Sequence, residues 1–200
     1  MQPVICLASN SPRRRELLSQ IGVSHIVMAA DIDESVLPGE SPRTYVLRLA
    51  REKALAIRRT GQQLPVLAAD TTVVVDGRIF GKPRDRADAI YMLSELAGRA
   101  HEVLTAVALA RAQDVNARLS SNTVCFRRIS LEECAAYWQT GEPRDKAGGY
   151  AIQGLGAVFV ESLSGSYSAV MGLPLFETGE LLQAAGIRYW DGASADRERA

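Results

Sequence analysis

An α/β fold built on a mixed sheet is predicted by three features of the chain. Short apolar runs such as "VICLA" and "LPVLAA" alternate with segments whose apolar residues recur at helical spacing. Glycine- and proline-containing turn signals separate them, and no internal repeat, low-complexity block or clear linker interrupts the succession. A chain of 200 residues with 47% hydrophobic content buries a sizeable core, so one domain is expected over residues 1–190. Residues 191–200, ending in "GASADRERA", are small, polar and charged and are expected to form a frayed tail.

Residues 4–9 read as the first strand. Pro12 then suits the first position of a helix, Ser11 is placed to cap it, Leu17, Leu18 and Ile21 give it an apolar face, and Gly22 ends it. "SHIVMAADIDES" supplies a second strand running into a loop that carries Asp31, Asp33 and Glu34. In "TYVLRLAREKALAIRRTG", Val46, Leu49, Ala50, Ala54 and Ile57 fall at helical spacing and Gly61 marks a stop, which puts Lys53 on a helix. "LPVLAAD" and "TTVVVDGRIF" read as two strands, the second turning at Asp76-Gly77, and "GKPRD" is a loop entering the helix "ADAIYMLSELAG". "HEVLTAVALARA" and "SSNTVCFRRI" are expected as an antiparallel pair around a polar "QDVNAR" turn. Ser130 with Glu133 forms a capping box that opens a further helix, and Gly141 ends it. The last third predicts short strands, loops and a final helix from near Pro174 to Gly186.

Charge excludes some functions. With 23 basic and 23 acidic residues the net charge is zero, so no global field draws the protein onto nucleic acid or an anionic membrane. Cys6, Cys125 and Cys134 form no CxxC pair, so neither a disulfide framework nor a structural zinc site is indicated. "VICLA" is far too short for a membrane span and lacks the flanks of an export signal; a soluble, cytoplasmic protein is expected.

Arg13, Arg14 and Arg15 stand in a helix's first turn, where cations oppose the dipole at a cost of about 0.3–1 kcal/mol each. An anion would compensate them. A strand, a serine-bearing loop and a helix N-terminus converge backbone N–H groups on one point, as phosphate binding requires, and Ser9, Ser11, Arg13 and Arg14 add side-chain donors. The alternative is that the arginines form a solvated face.

Asp70 interrupts an apolar run, where an unpaired charge is expensive. It requires a metal, a lysine or a catalytic water as partner, unless it merely caps a bend between two strands. Glu34, with Asp31 and Asp33, offers oxygen ligands for Mg²⁺, although such a cluster is more often a plain acidic loop. Lys53 and Lys82 are candidate phosphate clamps, against the usual solvent-facing role of lysine on an amphipathic helix or beside a proline. In "DKAGGYAIQGLG" the close glycines let backbone approach a ligand, and the Gln153 amide offers the donor and acceptor that the imide edge of uracil or thymine needs. The competing reading is a glycine-rich hairpin with Gln153 in water. His25 and His101 are too few for a histidine metal motif, and no serine, histidine and acid pattern for acyl transfer is visible.

Taken together, "LASNSPRRRELL", "DIDES", "LAREKA", "LAADTTVVVDG", "GKPRD" and "DKAGGYAIQGLG" resemble, in the same order, the motifs of the Maf family of nucleoside triphosphate pyrophosphatases, once described as septum-formation inhibitors. The resemblance covers residues 4 to 187. It implies an elongated mixed sheet flanked by helices, in two lobes with a central cleft, similar to the inosine triphosphatases, and a homodimer. It implies that Asp70 is the general base, that Glu34 and Asp70 hold a divalent cation, Mg²⁺ or Mn²⁺, and that Ser9, Arg13, Lys53 and Lys82 line the triphosphate. Arg13, Thr71 and Gln153 together resemble the subgroup acting on dTTP and UTP, whereas a glutamate for Gln153 would indicate the subgroup preferring 7-methyl-GTP. Asn10 departs from a frequent glycine, and asparagine tolerates the same left-handed backbone. The implied reaction is hydrolysis to nucleoside monophosphate and pyrophosphate. Two other classes compete with it: a nucleotide-binding regulator of cell division without turnover, and a phosphatase releasing orthophosphate.

Overall fold

The computed structural model describes residues 2–112 and 114–190. The tail expected over 191–200 lies outside the described residues. The fold is mixed α/β, with helices flanking a seven-stranded sheet of order β2-β1-β3-β5-β6-β7, in which β4 pairs with β3. The strands are β1 (Ile5–Leu7), β2 (His25–Val27), β3 (Val66–Val75), β4 (Arg78–Phe80), β5 (Ala100–Ala110), β6 (Val115–Phe126) and β7 (Val160–Ser164). The helices are α1 (Pro12–Gln20), α2 (Pro42–Arg59), α3 (Arg86–Leu96), α4 (Leu131–Gln139), α5 (Tyr167–Met171) and α6 (Leu175–Ala184).

The chain divides into two compact units. The first takes the described residues up to Asp70, Thr105–Ser120 and those from Gly172 onward; the second takes Thr71–Leu104 and Ser121–Met171.

In the first unit, β1 pairs in parallel with both β2 and β3, and α1 and α2 are the crossovers that parallel pairing demands. All three residues of β1 are buried, as a strand covered on both faces requires. α1 stops two residues before Gly22, whose φ of 72° only glycine adopts without strain. Ser41 caps α2 by accepting from the Thr44 N–H, Pro42 holds the first position, and a buried stripe runs through Val46, Leu49, Ala50, Lys53 and Ile57.

The second unit holds Asp76-Gly77, whose φ values of 49° and 75° make the tight turn that folds β4 antiparallel onto β3. Asp85 caps α3, and α4 opens with the Ser130–Glu133 box that the sequence predicts. α3 packs on α4. The core centres on Phe126, fully buried, with the edges or faces of His101, Tyr150 and Phe159 around it at centroid distances of 4.7–6.0 Å.

Two elements differ from the sequence expectation. Asp70 does not separate two strands: β3 is continuous from Val66 to Val75, because the carboxylate finds a partner within the strand's surroundings and the β-branched run after it stays extended. β6 begins at Val115 rather than near Ser120, since Val115–Leu119 already alternates between half-buried and exposed positions.

His101 is 4% exposed; its Nε2 pairs with Tyr150 Oη at 2.9 Å and its Nδ1 has no hydrogen-bond partner among the described residues. Burial, with the Arg99 charge assisting, lowers its pKa from 6.5 to about 4. The unfolded chain therefore binds the extra proton first, and stability falls as pH drops from 6.5 towards 4, by on the order of 3 kcal/mol in full. Denaturation midpoints measured across that window are expected to show this slope, and His101→Gln is expected to flatten it.

Candidate active site

The sequence places its anion loop between β1 and α1, and the structure builds that loop around Ser9. The Ser11 N–H donates to Ser9 Oγ at 3.1 Å, and Arg14 Nη1 donates to the same oxygen at 3.3 Å. Arg14 Nε donates to the Gly172 carbonyl at 2.7 Å. Arg14 is thus a brace that ties the loop to a segment 158 residues away. Burial lowers its pKa, and the nearby Asp70 charge opposes that change. Ser11 stands at the N-cap position, but its side chain makes no capping bond, contrary to the sequence expectation; the contact it makes is through its backbone N–H, to Ser9. No acidic residue occupies the first turn of α1, so its positive end is not neutralised from within the helix. Arg13 is half-buried on that turn and Arg15 is exposed.

The charged centre of the unit is Lys53. Its Nζ lies 2.7 Å from Asp70 Oδ1 and 2.7 Å from Glu34 Oε1. Asp70 is 6% exposed and Lys53 9%, whereas the Glu34 side chain remains close to half exposed. The lysine is therefore not solvent-facing: it occupies a position of α2's apolar stripe, one turn from Leu49 and Ile57, and reaches from there to β3.

α2 also fixes the acidic loop. Tyr45 Oη donates to the Glu34 carbonyl at 3.0 Å, and Arg48 Nη2 donates to the Ser35 carbonyl at 2.9 Å. Arg48 is in turn held by Glu40 at 2.6 Å and Glu52 at 3.1 Å. Burial, and then the Asp70 and Glu34 charges, push the Tyr45 phenol up to about 12, so it stays a donor. Asp33 accepts from the Ser35 N–H at 2.9 Å and spends its carboxylate on the loop's own turn. Tyr45 and Arg48 were not singled out from the sequence. Their one signal there is helical spacing, three apart on the helix that carries Lys53.

Within the first unit the contacts form two groups, Ser9 with Ser11 and Arg14, and Lys53 with Glu34 and Asp70, and Arg14 feels the charges of Asp70 and Glu34; Arg13 stands on the same helix turn as Arg14. Thr71, Lys82 and Gln153 belong to the second unit. There Thr71 is half-buried on β3 and Lys82 is exposed on the loop after β4. The Gly148 N–H donates to the Gly81 carbonyl at 3.0 Å, which links the Lys82 loop to the glycine-rich segment leading to Gln153. Gly148, at φ 66°, packs so closely on Val73 that an added Cβ would sit 2.8 Å from its side chain. Gln153 is half-buried, directly after the core residues Tyr150 and Ile152.

The oxygen donors suit a hard cation. Glu34 and Asp70 already converge on one positive charge, the Lys53 ammonium, and Mg²⁺ binds through one or two carboxylates with phosphate oxygens and waters completing its shell. Among the described residues no group of three or more His, Cys, Asp or Glu could hold a metal by protein ligands alone. Among the described residues no helix is long and apolar enough to cross a membrane.

Comparison with known proteins converges on one family. A family model described as Maf-like protein matches residues 4–185. The dTTP/UTP pyrophosphatase of Saccharophagus degradans is 54% identical over 188 residues, 92% of this chain and 90% of that protein. That of Methylobacillus flagellatus is 54% identical over 185 residues, covering 92% and 93%, and that of Alkalilimnicola ehrlichii is 53% identical over 194 residues, covering 94% and 96%. The Staphylococcus aureus Ham1 protein shares the fold, with a TM-score of 0.50 at 14% identity over 90% of this chain and 96% of its own. A family match along nearly the whole sequence, together with relatives more than half identical over the same span, shows that the chain belongs to the Maf family.

Proposed function

We propose that this chain hydrolyses pyrimidine nucleoside triphosphates, dTTP and UTP foremost, to the nucleoside monophosphate and pyrophosphate. The observation that carries the proposal is the Lys53 ammonium held 2.7 Å from both the Glu34 and the Asp70 carboxylates, beside an anion loop whose helix lacks its own neutralising acid. The names of the relatives give the reaction and the base.

In this reading the N–H groups opening α1, with Ser9, Ser11 and Arg13, receive phosphate oxygens, and Arg14 keeps the loop in shape by its bonds to Ser9 and Gly172. Lys82 serves as a further phosphate clamp. Lys53 donates to Asp70 Oδ1, which leaves Oδ2 to take a proton from water. The water oxygen bonds to the α-phosphorus, the bond from that phosphorus to the α,β-bridging oxygen breaks, and pyrophosphate leaves with the electron pair. Glu34 and Asp70 would hold a divalent ion, Mg²⁺ or Mn²⁺, which when bound neutralises phosphate charge and acidifies a water. Gln153 reads the imide edge of the base, donating to a carbonyl and accepting from the ring N–H, with Thr71 and Arg13 as companions. A cytoplasmic homodimer completes the proposal, as the family resemblance implies.

The test is product analysis of the purified protein with a panel of nucleoside triphosphates, with Mg²⁺, Mn²⁺ or chelator, scoring pyrophosphate and orthophosphate separately. Metal-dependent pyrophosphate from dTTP and UTP is expected. Orthophosphate alone would make it a phosphatase, and binding without product a nucleotide sensor. Asp70→Asn is expected to lower turnover by roughly 10²- to 10⁴-fold while circular dichroism stays native; near-normal turnover would remove Asp70 from the base role. Gln153→Glu replaces the amide donor by an acceptor, and kcat/KM for UTP is expected to fall by about 10- to 100-fold, read from initial rates.

A further inference from the structure

The segment around Gln153 is held from both sides by two residues of the α4 region. α4 ends at Gln139, and Gly141, at φ 79°, reverses the chain so that Glu142 returns beside Tyr137 of the helix's last turn. Tyr137 Oη donates to Glu142 Oε1 at 2.6 Å and accepts from the Ala151 N–H at 3.1 Å. Glu142 Oε1 also accepts from the Gly156 N–H at 2.9 Å, and Oε2 accepts from the Leu155 N–H at 3.0 Å. The backbone is thus pinned two residues before Gln153 and two and three residues after it, while Tyr150 and Ile152 anchor it in the core.

The glycines of "QGLG" follow from this approach. A Cβ on Gly154 would lie 2.1 Å from Glu142 Oε2, and one on Gly156 would lie 2.6 Å from Tyr137 Oη and 3.1 Å from the Ala151 carbonyl. Neither position admits a side chain unless the clamp opens. Burial pushes the Glu142 carboxyl up, but the donations from Tyr137, Gly156 and Leu155 outweigh it and hold the group below the ordinary carboxylate range. At neutral pH it is an anion matched to three donors, and charge-assisted bonds of this kind are the stronger ones.

On the reading of Gln153 as the residue that meets the base, we propose that Tyr137 and Glu142 are positioning residues that set nucleobase selectivity by fixing the backbone on either side of it. An amide discriminates a donor–acceptor edge only when its own direction is fixed, since a side chain on a loose loop satisfies either pattern.

The experiment compares kcat and KM for pyrophosphate release from UTP and CTP, two substrates that differ at that edge, in the wild type, Tyr137→Phe, Glu142→Ala, Glu142→Gln and Gln153→Ala. Tyr137→Phe and Glu142→Ala are expected to lower the UTP-over-CTP ratio of kcat/KM by roughly ten-fold or more, chiefly through KM for UTP. Glu142→Gln keeps one acceptor oxygen and is expected to fall between them and the wild type. Variants that lose kcat equally on both substrates, or keep the wild-type ratio, would reduce the clamp to a folding role. If Glu142→Ala fails to fold, Tyr137→Phe and Glu142→Gln decide by the same ratio. A Gln153→Ala variant with an unchanged ratio would strike the reading of Gln153 itself, and the clamp with it. A ratio lost in Gln153→Ala but intact in the Tyr137 and Glu142 variants would overturn the clamp alone.

Discussion

The arrangement of charge in the first unit depends on one ammonium group between two carboxylates. Asp70 lies in a strand buried on both faces, where an unpaired anion costs several kcal/mol, and Lys53 is the group that makes its burial tolerable. The lysine is itself buried, so it needs Asp70 as much as Asp70 needs it. Its four-carbon stem packs in the apolar stripe of α2 while its head reaches the strand. The same helix holds the Glu34 loop through Tyr45 and Arg48, so helix packing sets the spacing of the charges.

That arrangement explains why Arg14 is tolerated in the first turn of α1. Arg14 is engaged by Ser9 and by the Gly172 carbonyl, and it feels the negative field of Asp70 and Glu34. The helix end keeps its backbone donors unneutralised by any acidic side chain of its own first turn. Fixed donors beside a buried carboxylate are what electrostatic stabilisation would require under the function proposed above.

The second unit answers a different demand. Its glycine-rich segment has few side chains with which to hold itself in place, so its order comes from outside: Tyr150 and Ile152 enter the core and Glu142 collects the N–H groups of Leu155 and Gly156. Glycine at 154 and 156 is the consequence of that close approach. Flexibility in the sequence and rigidity in the fold are compatible because backbone N–H groups, which every residue but proline carries, make the contacts.

The sequence by itself determined the α/β alternation, the capping box at Ser130, the turn at Asp76-Gly77 and the residue types of the candidate site. These are local: propensity, periodicity and capping act within a few residues. It misread the bend at Asp70, because a charged residue in a strand looks like a break until its partner is known. It did not mark Tyr45, Arg48, Tyr137 or Glu142, whose roles are contacts with backbone atoms and carry no motif of their own. Only the tertiary structure decided that Lys53 faces Asp70 and Glu34 rather than water, that Arg14 meets Gly172 across 158 residues, and that Glu142 meets the glycine loop. Such pairings turn on which face a helix buries and how far a side chain reaches, and a shift of one residue would direct each group elsewhere.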